Sequence, residues 1–292
     1  MRDTQRRVSA YISLVVSSAM FAIGYIIAHL INPAAGMGMF VCQAMFCSAL
    51  LFFIFKGNKP IGKLNFYLVA AIAYNGVSSP IIVYLILTGS RMVSPSLAAI
   101  LVISNVLMIA AMARLLNRKK FTVIQLASLI AGFIGVTWIS LEKGAFSGEG
   151  VGASYLLLAA FLIATITIAI EGPIKDRGWA PVTRWSFSIS FIVTLVTIYI
   201  SGNFAFHSPG QSALAIVLGF IALGAPVLLF NRGMGILGSA DAAATKLLIP
   251  FFSLIYGVVF LNDIPGISSL SAGLIVVGSV GIYQYSASKV EK

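Results

Sequence analysis

Apolar runs of about 20 residues recur down the whole of this chain, separated by connectors too short to fold alone. Wound as a helix at about 1.5 Å per residue, a run of that length crosses the roughly 30 Å hydrocarbon core of a bilayer. Ten such runs can be marked, at 9–30, 37–55, 66–89, 94–116, 121–141, 150–171, 181–201, 211–232, 239–261 and 266–286. The core holds no water to bond exposed peptide groups, so a crossing segment must be a helix or part of a closed barrel. Continuous rather than alternating hydrophobicity selects helices. The predicted fold is an all-α polytopic membrane protein with ten transmembrane helices. Composition agrees, because 59% hydrophobic and 9% charged residues leave no polar coat for a water-soluble domain.

The basic residues set the expected orientation. With the N-terminus inside, sixteen of the nineteen lysines and arginines fall in inner segments; Arg91 and Lys143 fall outside and Lys246 lies within a span. This predicts a multi-pass protein of the cell inner (plasma) membrane with both termini cytoplasmic. The net charge of +11 is then a topology signal spread over several segments, and no nucleic-acid partner is expected. The opening MRDTQRR joins a full-length span directly and does not read as a cleaved signal. Cys42 and Cys47, five apart on one helix, point about 140° apart and suit neither a bridge nor a metal pair. No cofactor or metal is expected; the partners are a small-molecule substrate and membrane lipid, for either a monomer or a homodimer.

Spans three to five and eight to ten read as variants of one another. Pro80 and Tyr84 match Pro226 and Phe230 at an offset of 146, and Ser94 and Leu116-Asn117 match Ser239 and Leu261-Asn262 at 145. Five spans per half is an odd number, so the repeats, 1–143 and 144–292, must face opposite ways across the membrane. Inverted repeats are a recurring architecture of secondary transporters, whose substrate site lies near midplane between the halves.

The run NRGMGILGSADAAATKLLIPFFSLIYGVVFLNDIPGISSLSAGLIVVGSVGIY resembles the drug/metabolite transporter superfamily, specifically its ten-span EamA type. It shares a short loop, a small-residue helix start, a helix-breaking proline (Pro250), a turn thirteen residues later and a glycine-rich last helix containing Gly278. The family's Gly-Glu turn is Asn262-Asp263 here and Asn117-Arg118 in the first half, where Asn105 stands in place of the proline. The resemblance implies alternating access around a cavity lined by spans one, three, four, six, eight and nine, with spans five and ten peripheral. It also implies a solute drawn from amino acids, metabolites, drugs or nucleotide sugars, with export favoured by analogy.

Lys246 is the most costly residue in the chain, since a lysine at a helix centre costs about 2.5–3.5 kcal/mol on insertion scales. It can snorkel to inner water from about 10 Å depth, because helical side chains lean toward the N-terminus. Alternatively it faces a cavity, on the side of its helix that carries Ala243, Pro250 and Ser253. Asp241 is about 140° away around the helix, and Glu171 is a through-space partner only if it does not serve Lys175 and Arg177 at the inner surface. A buried ammonium without a fixed anion suits a carboxylate on the substrate.

In span three, Tyr74, Asn75, Ser78 and Ser79 cluster beside Pro80 and are more polar than packing needs; with Lys246 they are the predicted substrate-binding residues. Ser186, Ser190, Thr194 and Thr197 form a stripe on span seven that suits close helix packing. Glu171 and Asp241 are the candidate coupling carboxylates. Pro80, Pro226 and Pro250 are predicted bends that shape the site.

Gly233-Met-Gly235-Ile-Leu-Gly238 fits G-x-G-x-x-G, but it joins two spans rather than a strand and a helix, so it reads as a flexible turn and not a dinucleotide loop. His29 and His207 have no paired spacing, and there is no nucleophile elbow or metalloprotease motif, which argues against an enzyme. The expected function is secondary transport of a small organic metabolite, amino-acid-like or carboxylate-bearing. The alternative is a non-transporting membrane protein that handles lipid or binds a partner.

Overall fold

The computed structural model describes residues 2–30, 37–54, 61–93, 98, 101–116, 121–142, 150–202, 208–261 and 266–290. Every regular element among them is helical. In chain order they are α1 (Arg2–Leu30), α2 (Met37–Ile54), α3 (Phe66–Met92), α4 (Asn105–Leu116), α5 (Val123–Glu142), α6 (Gly150–Arg177) and α7 (Trp179–Ser201). The eighth span is α8 (Pro209–Val217), a π-helical stretch Leu218–Gly224 and α9 (Ala225–Leu237). The ninth is α10 (Ser239–Ala244), a 3-10 turn Thr245–Leu247 and α11 (Leu248–Leu261); α12 (Ile267–Val290) closes the chain. The turns at Asn117-Arg118 and Asn262-Asp263, Ser94, and most of the connector lysines lie outside the described residues.

Among the described residues six stretches are long and apolar enough to cross a membrane: Thr4–Gly24, Phe66–Met92, Gly150–Arg177, Trp179–Ser201, Pro209–Leu237 and Leu270–Ala287. Met37–Leu51, Leu101–Leu116 and Val123–Trp138 are shorter apolar helices. The chain is an all-α polytopic membrane protein. Its outer surface carries Leu157, Phe161, Val196, Ile200 and Leu274, whereas Ser17, Ser48, Asn75, Ser190 and Asn231 are buried. That is the expected sorting where the solvent is hydrocarbon and hydroxyls find partners only inside.

Two boundaries differ from the sequence reading. The G-x-G-x-x-G stretch is not a flexible turn, for α9 continues to Leu237 and only Gly238, at φ 91°, leaves the helix. Gly233 is there for close approach, because a Cβ would sit 2.5 Å from Leu14 Cγ on α1. The stretch EGPIKDRGW is likewise helical through Arg177, and Gly178 at φ 92° makes a one-residue turn into α7. In both turns the glycine N–H closes on the preceding helix, at Met234 O (2.8 Å) and Ile174 O (2.9 Å).

The helices pair in a regular pattern. α3 packs on α6 and α7, α1 packs on α9 and α11, α2 packs on α7 and the π stretch, and α4 packs on α6 and α10. Exchanging each of the first five spans for its counterpart in the last five returns the same set of pairs. α5 and α12 pair with each other at the periphery, where Gly135 opposes Val276 and Gly132 opposes Ser279 so tightly that an added Cβ would meet them at 2.8 and 2.6 Å.

All three predicted bends fall where the helical ladder is interrupted, and serines from neighbouring helices bond carbonyls there. Pro80 lacks the N–H that would bond Gly76 O, and Ser190 Oγ of α7 donates to that carbonyl at 2.8 Å. Pro226 follows the π stretch, in which Ala225 N–H reaches back to Phe220 O. Ser48 of α2 donates to Gly219 O (2.8 Å) and Ser17 of α1 to Pro226 O (2.7 Å). Pro250 follows the 3-10 turn, and Ser18 of α1 donates to Thr245 O at 2.9 Å. Span seven's stripe divides: Ser186, Ser190 and Thr194 are buried, the first two against Gly76 of α3, while the last member, Thr197, is exposed and bonds its own helix.

Candidate functional site

The interrupted helices converge on one cavity. It holds about 200 Å³ and is lined by α1, α3, α6, α7, the π stretch, α9, the ninth span and Val102, Ile103 and Asn105 of the fourth. α5 and α12 contribute nothing to it. Most of the wall is aliphatic or aromatic, including Ile82, Val83, Ile163, Ile166, Leu223 and Phe187. The polar residues on it are Asn75, Ser79, Asn105, Thr167, Asn231 and Lys246.

Lys246 does not snorkel. It is 8% exposed and lies on the 3-10 turn, where the break in the helix turns its side chain onto the cavity wall. Its Nζ sits 4.0 Å from the centroid of the Phe230 ring and 5.8 Å from that of Phe21. The negative faces of those rings attract the ammonium by about 1–2 kcal/mol where water is excluded. Among the described residues no carboxylate forms an ion pair with it.

Asn75 is 5% exposed and Ser79 stands one turn later; the Ser79 hydroxyl is shared between Asn75 O (2.7 Å) and Asn75 Oδ1 (3.1 Å). Both line the cavity. Tyr74 and Ser78 do not. Tyr74 is one residue, hence about 100°, from Asn75. Its hydroxyl bonds Thr165 Oγ1 at 2.6 Å on the outer side of the α3–α6 contact. Ser78 is buried in helix packing.

Glu171 is not Lys246's partner. It accepts from Lys175 Nζ (2.6 Å) and from Ser239 Oγ (2.5 Å), and so ties the end of α6 to the start of α10. Asp241, 2% exposed, accepts from Tyr283 Oη at 3.0 Å, while its backbone oxygen accepts from Gln284 Nε2 at 2.7 Å, which ties α10 to α12. Both carboxylates lie off the cavity wall, near the end of the bundle where α6 and α9 finish and α10 begins.

Asn105, Thr167, Asn231 and Phe230 are cavity residues that the sequence reading did not select. Asn231 donates its amide to Thr183 Oγ1 at 2.8 Å, and the Thr167 hydroxyl donates to Ile163 O at 2.6 Å. An asparagine within an apolar run is itself a signal. For Asn231 it was hidden by placing the end of span eight at 232, which made the residue look interfacial.

Three likenesses to known proteins accord with this arrangement. A crystal structure of a protein aligns over 99% of this chain and 99% of its own, with a TM-score of 0.75 and 12% identity, which speaks to the fold alone. The uncharacterized transporter YdfC of Bacillus subtilis (strain 168) is 25% identical over 208 residues, covering 70% of this chain and 67% of the relative. Residues 150–284, from α6 into α12, match the EamA-like transporter family. The chain is a multi-pass membrane protein whose second half is similar to the EamA-like transporters, and these matches point to a membrane transporter rather than an enzyme.

Proposed function

We propose that this transporter carries a small organic metabolite bearing a carboxylate, of which amino-acid-like solutes are the simplest class, through the central cavity. One observation carries the reading: a lysine ammonium held on an apolar cavity wall against two phenyl rings, with no protein carboxylate paired to it among the described residues. An anionic substrate group supplies the missing charge, and the surrounding aliphatic wall accepts an apolar body.

The proposed mechanism is alternating access of two inverted five-helix repeats, 1–143 and 144–292. The exchange symmetry of the helix pairs supports it, as do the interruptions of spans four and nine within about one helical turn of matching positions. In this reading Lys246, Asn75 and Ser79 bind substrate, with Tyr74 and Ser78 supporting the α3 face behind them. The contacts of Glu171 with α10 and of Asp241 with α12 hold one end of the cavity shut and release as the halves rock. The distribution of lysine and arginine supports the inner membrane with both termini cytoplasmic, and the direction proposed is export.

The test is flux in proteoliposomes containing the purified protein. Leucine and phenylalanine should show saturable transport, and leucinamide, which replaces the carboxylate by a neutral amide, should not. Equal flux of acid and amide, or no saturable flux of any carboxylate across a broad metabolite panel, would sink the carboxylate reading.

A further inference from the structure

Asn105 is 2% exposed, and its Oδ1 has no hydrogen-bond partner among the described residues. Of the buried side-chain polar atoms in that condition, it alone belongs to a residue on the cavity wall. The orientation of the amide is fixed by chemistry. Its Nδ2 donates to Val102 O, an oxygen that can only accept, so the group cannot flip to place Nδ2 where Oδ1 now stands.

The backbone fixes its position. Ser104 interrupts the fourth span: its hydroxyl donates to Leu101 O at 2.6 Å, and the helix restarts at Asn105 with Leu107 and Met108 N–H both closing on Ser104 O. An acceptor is thereby held rigidly in a wall that is otherwise mostly hydrocarbon.

A buried acceptor left unmet costs about 1–3 kcal/mol. The neighbouring polar groups do not supply the missing proton: the Ser79 hydroxyl is given to Asn75 and the Thr167 hydroxyl to Ile163 O, and neither the amide of Asn231, which bonds Thr183, nor the Asn75 amide nor the Lys246 ammonium bonds the Asn105 oxygen. We propose that Asn105 is a specificity residue of the transport site: its Oδ1 accepts a hydrogen bond from a hydroxyl or amino group on the substrate and selects against analogues that lack a donor. Lys246 reads the charge and Asn105 reads the donor, from the two interrupted helices on opposite halves of the chain. The inference rests on the cavity being the substrate site but not on the substrate being a carboxylate.

Two probe series separate the two ideas, with binding to the purified full-length protein measured by thermal shift and calorimetry. The first holds the carboxylate and apolar body constant and changes the group on C2, from hydrogen to a neutral hydroxyl donor to a charged ammonium donor: 4-methylpentanoate, 2-hydroxy-4-methylpentanoate and leucine. The second has no carboxylate: 2-phenylethanol and its methyl ether. In the wild-type protein each donor-bearing probe should bind about tenfold tighter than its donor-free partner. Asn105→Leu should reduce that preference to about twofold or less, and Asn105→Ala does the same if the leucine does not fit. Asn105→Asp should turn the first series toward the amine over the hydroxyl.

A donor preference missing from both series in the wild-type protein, including no binding by any probe, overturns the inference, and so does a preference that survives in Asn105→Leu or Asn105→Ala. The wild-type comparison decides even if every variant fails to insert. If the acids do not bind but alcohol and ether are discriminated through Asn105, the carboxylate reading falls and the inference stands. If the acids bind through Lys246 without regard to the donor and the alcohol and ether are not discriminated either, the reading stands and the inference falls.

Discussion

The interrupted helices at the heart of the molecule, residues 101–116 and 239–261, break at corresponding places by different chemistry. In the first, side chains compete with the backbone ladder: Ser104 takes Leu101 O and Asn105 takes Val102 O. In the second a proline removes a donor, three residues tighten into a 3-10 turn, and Ser18 from α1 satisfies Thr245 O. The place of the break is common to both, while the group it presents to the cavity is not. The first break puts an asparagine on the cavity wall and the second a lysine, and the first-half counterpart of Lys246 is Leu101, which packs beside Val93, Ala98 and Leu156 rather than lining the cavity. A duplicated scaffold thus shares its hinge geometry, and its chemical reading of a solute resides in the positions where the halves differ.

Abolishing that asymmetry should have the largest effect. Lys246→Met keeps the length and apolar stem but removes the charge, and a hydrogen bond to a charged group is worth about 1.5–3 kcal/mol, so carboxylate binding should weaken by about 10- to 100-fold. Stability should hold or rise, because an ammonium no longer has to be buried. Flux and thermal unfolding of the reconstituted variant check both. Unchanged transport and selectivity would mean that the lysine serves topology rather than substrate. Moving the charge to the other half, as Leu101→Lys in the Lys246→Met background, should not restore transport, because residue 101 does not face the cavity; rescue would contradict the assignment of the two walls.

The sequence made the spans legible to within a few residues, because a bilayer demands apolar length and ten runs supplied it. It also singled out Lys246, Asn75 and Ser79, all of which line the cavity, since polar groups at membrane depth are costly. Two kinds of feature escaped. Glycines at 233 and 235 looked like punctuation but serve the close approach of Leu14 and Ile174, a tertiary reason that local propensity cannot carry. Tyr74 and Ser78 were grouped with Asn75 by proximity in the chain, yet facing is decided by the rotation of α3 against α6 and α7. Asn105 was visible only as a departure from a pattern; its free oxygen depends on where the helix breaks.

A second test weakens the break rather than the charge. Pro250→Ala restores a backbone N–H in the first turn of α11, just after the 3-10 turn. With a donor available to Lys246 O, the 3-10 turn should relax toward continuous helix and rotate Lys246 away from Phe230. Transport should slow by about tenfold, roughly the 1–2 kcal/mol of cation–π contact and site geometry at stake, while the resting protein gains stability from the restored ladder. Asn105→Pro is the converse substitution. It gives the first-half break the chemistry of the second, and should preserve insertion while losing donor selectivity.

The smallest effect belongs to the serine that supports the second break from outside. Ser18→Ala leaves Thr245 O without the 2.9 Å bond from α1, at a net cost of about 1 kcal/mol. For a chain of this size that is a fall of about 2–4 °C in Tm. The Ser18 hydroxyl also bonds Leu14 O at 3.0 Å in its own helix, and losing that weak bond should cost little because the carbonyl keeps its place in the α1 ladder. The informative quantity is therefore the coupling between Ser18→Ala and Pro250→Ala. If the serine bond exists because the proline broke the ladder, the double variant should be no less stable than Pro250→Ala alone, since the restored helix no longer leaves a carbonyl for Ser18 to serve. A double variant less stable than Pro250→Ala by the full cost of Ser18→Ala would mean that the serine holds α1 to the ninth span regardless of the break, and that the two interrupted helices are less alike in their support than their breaks suggest.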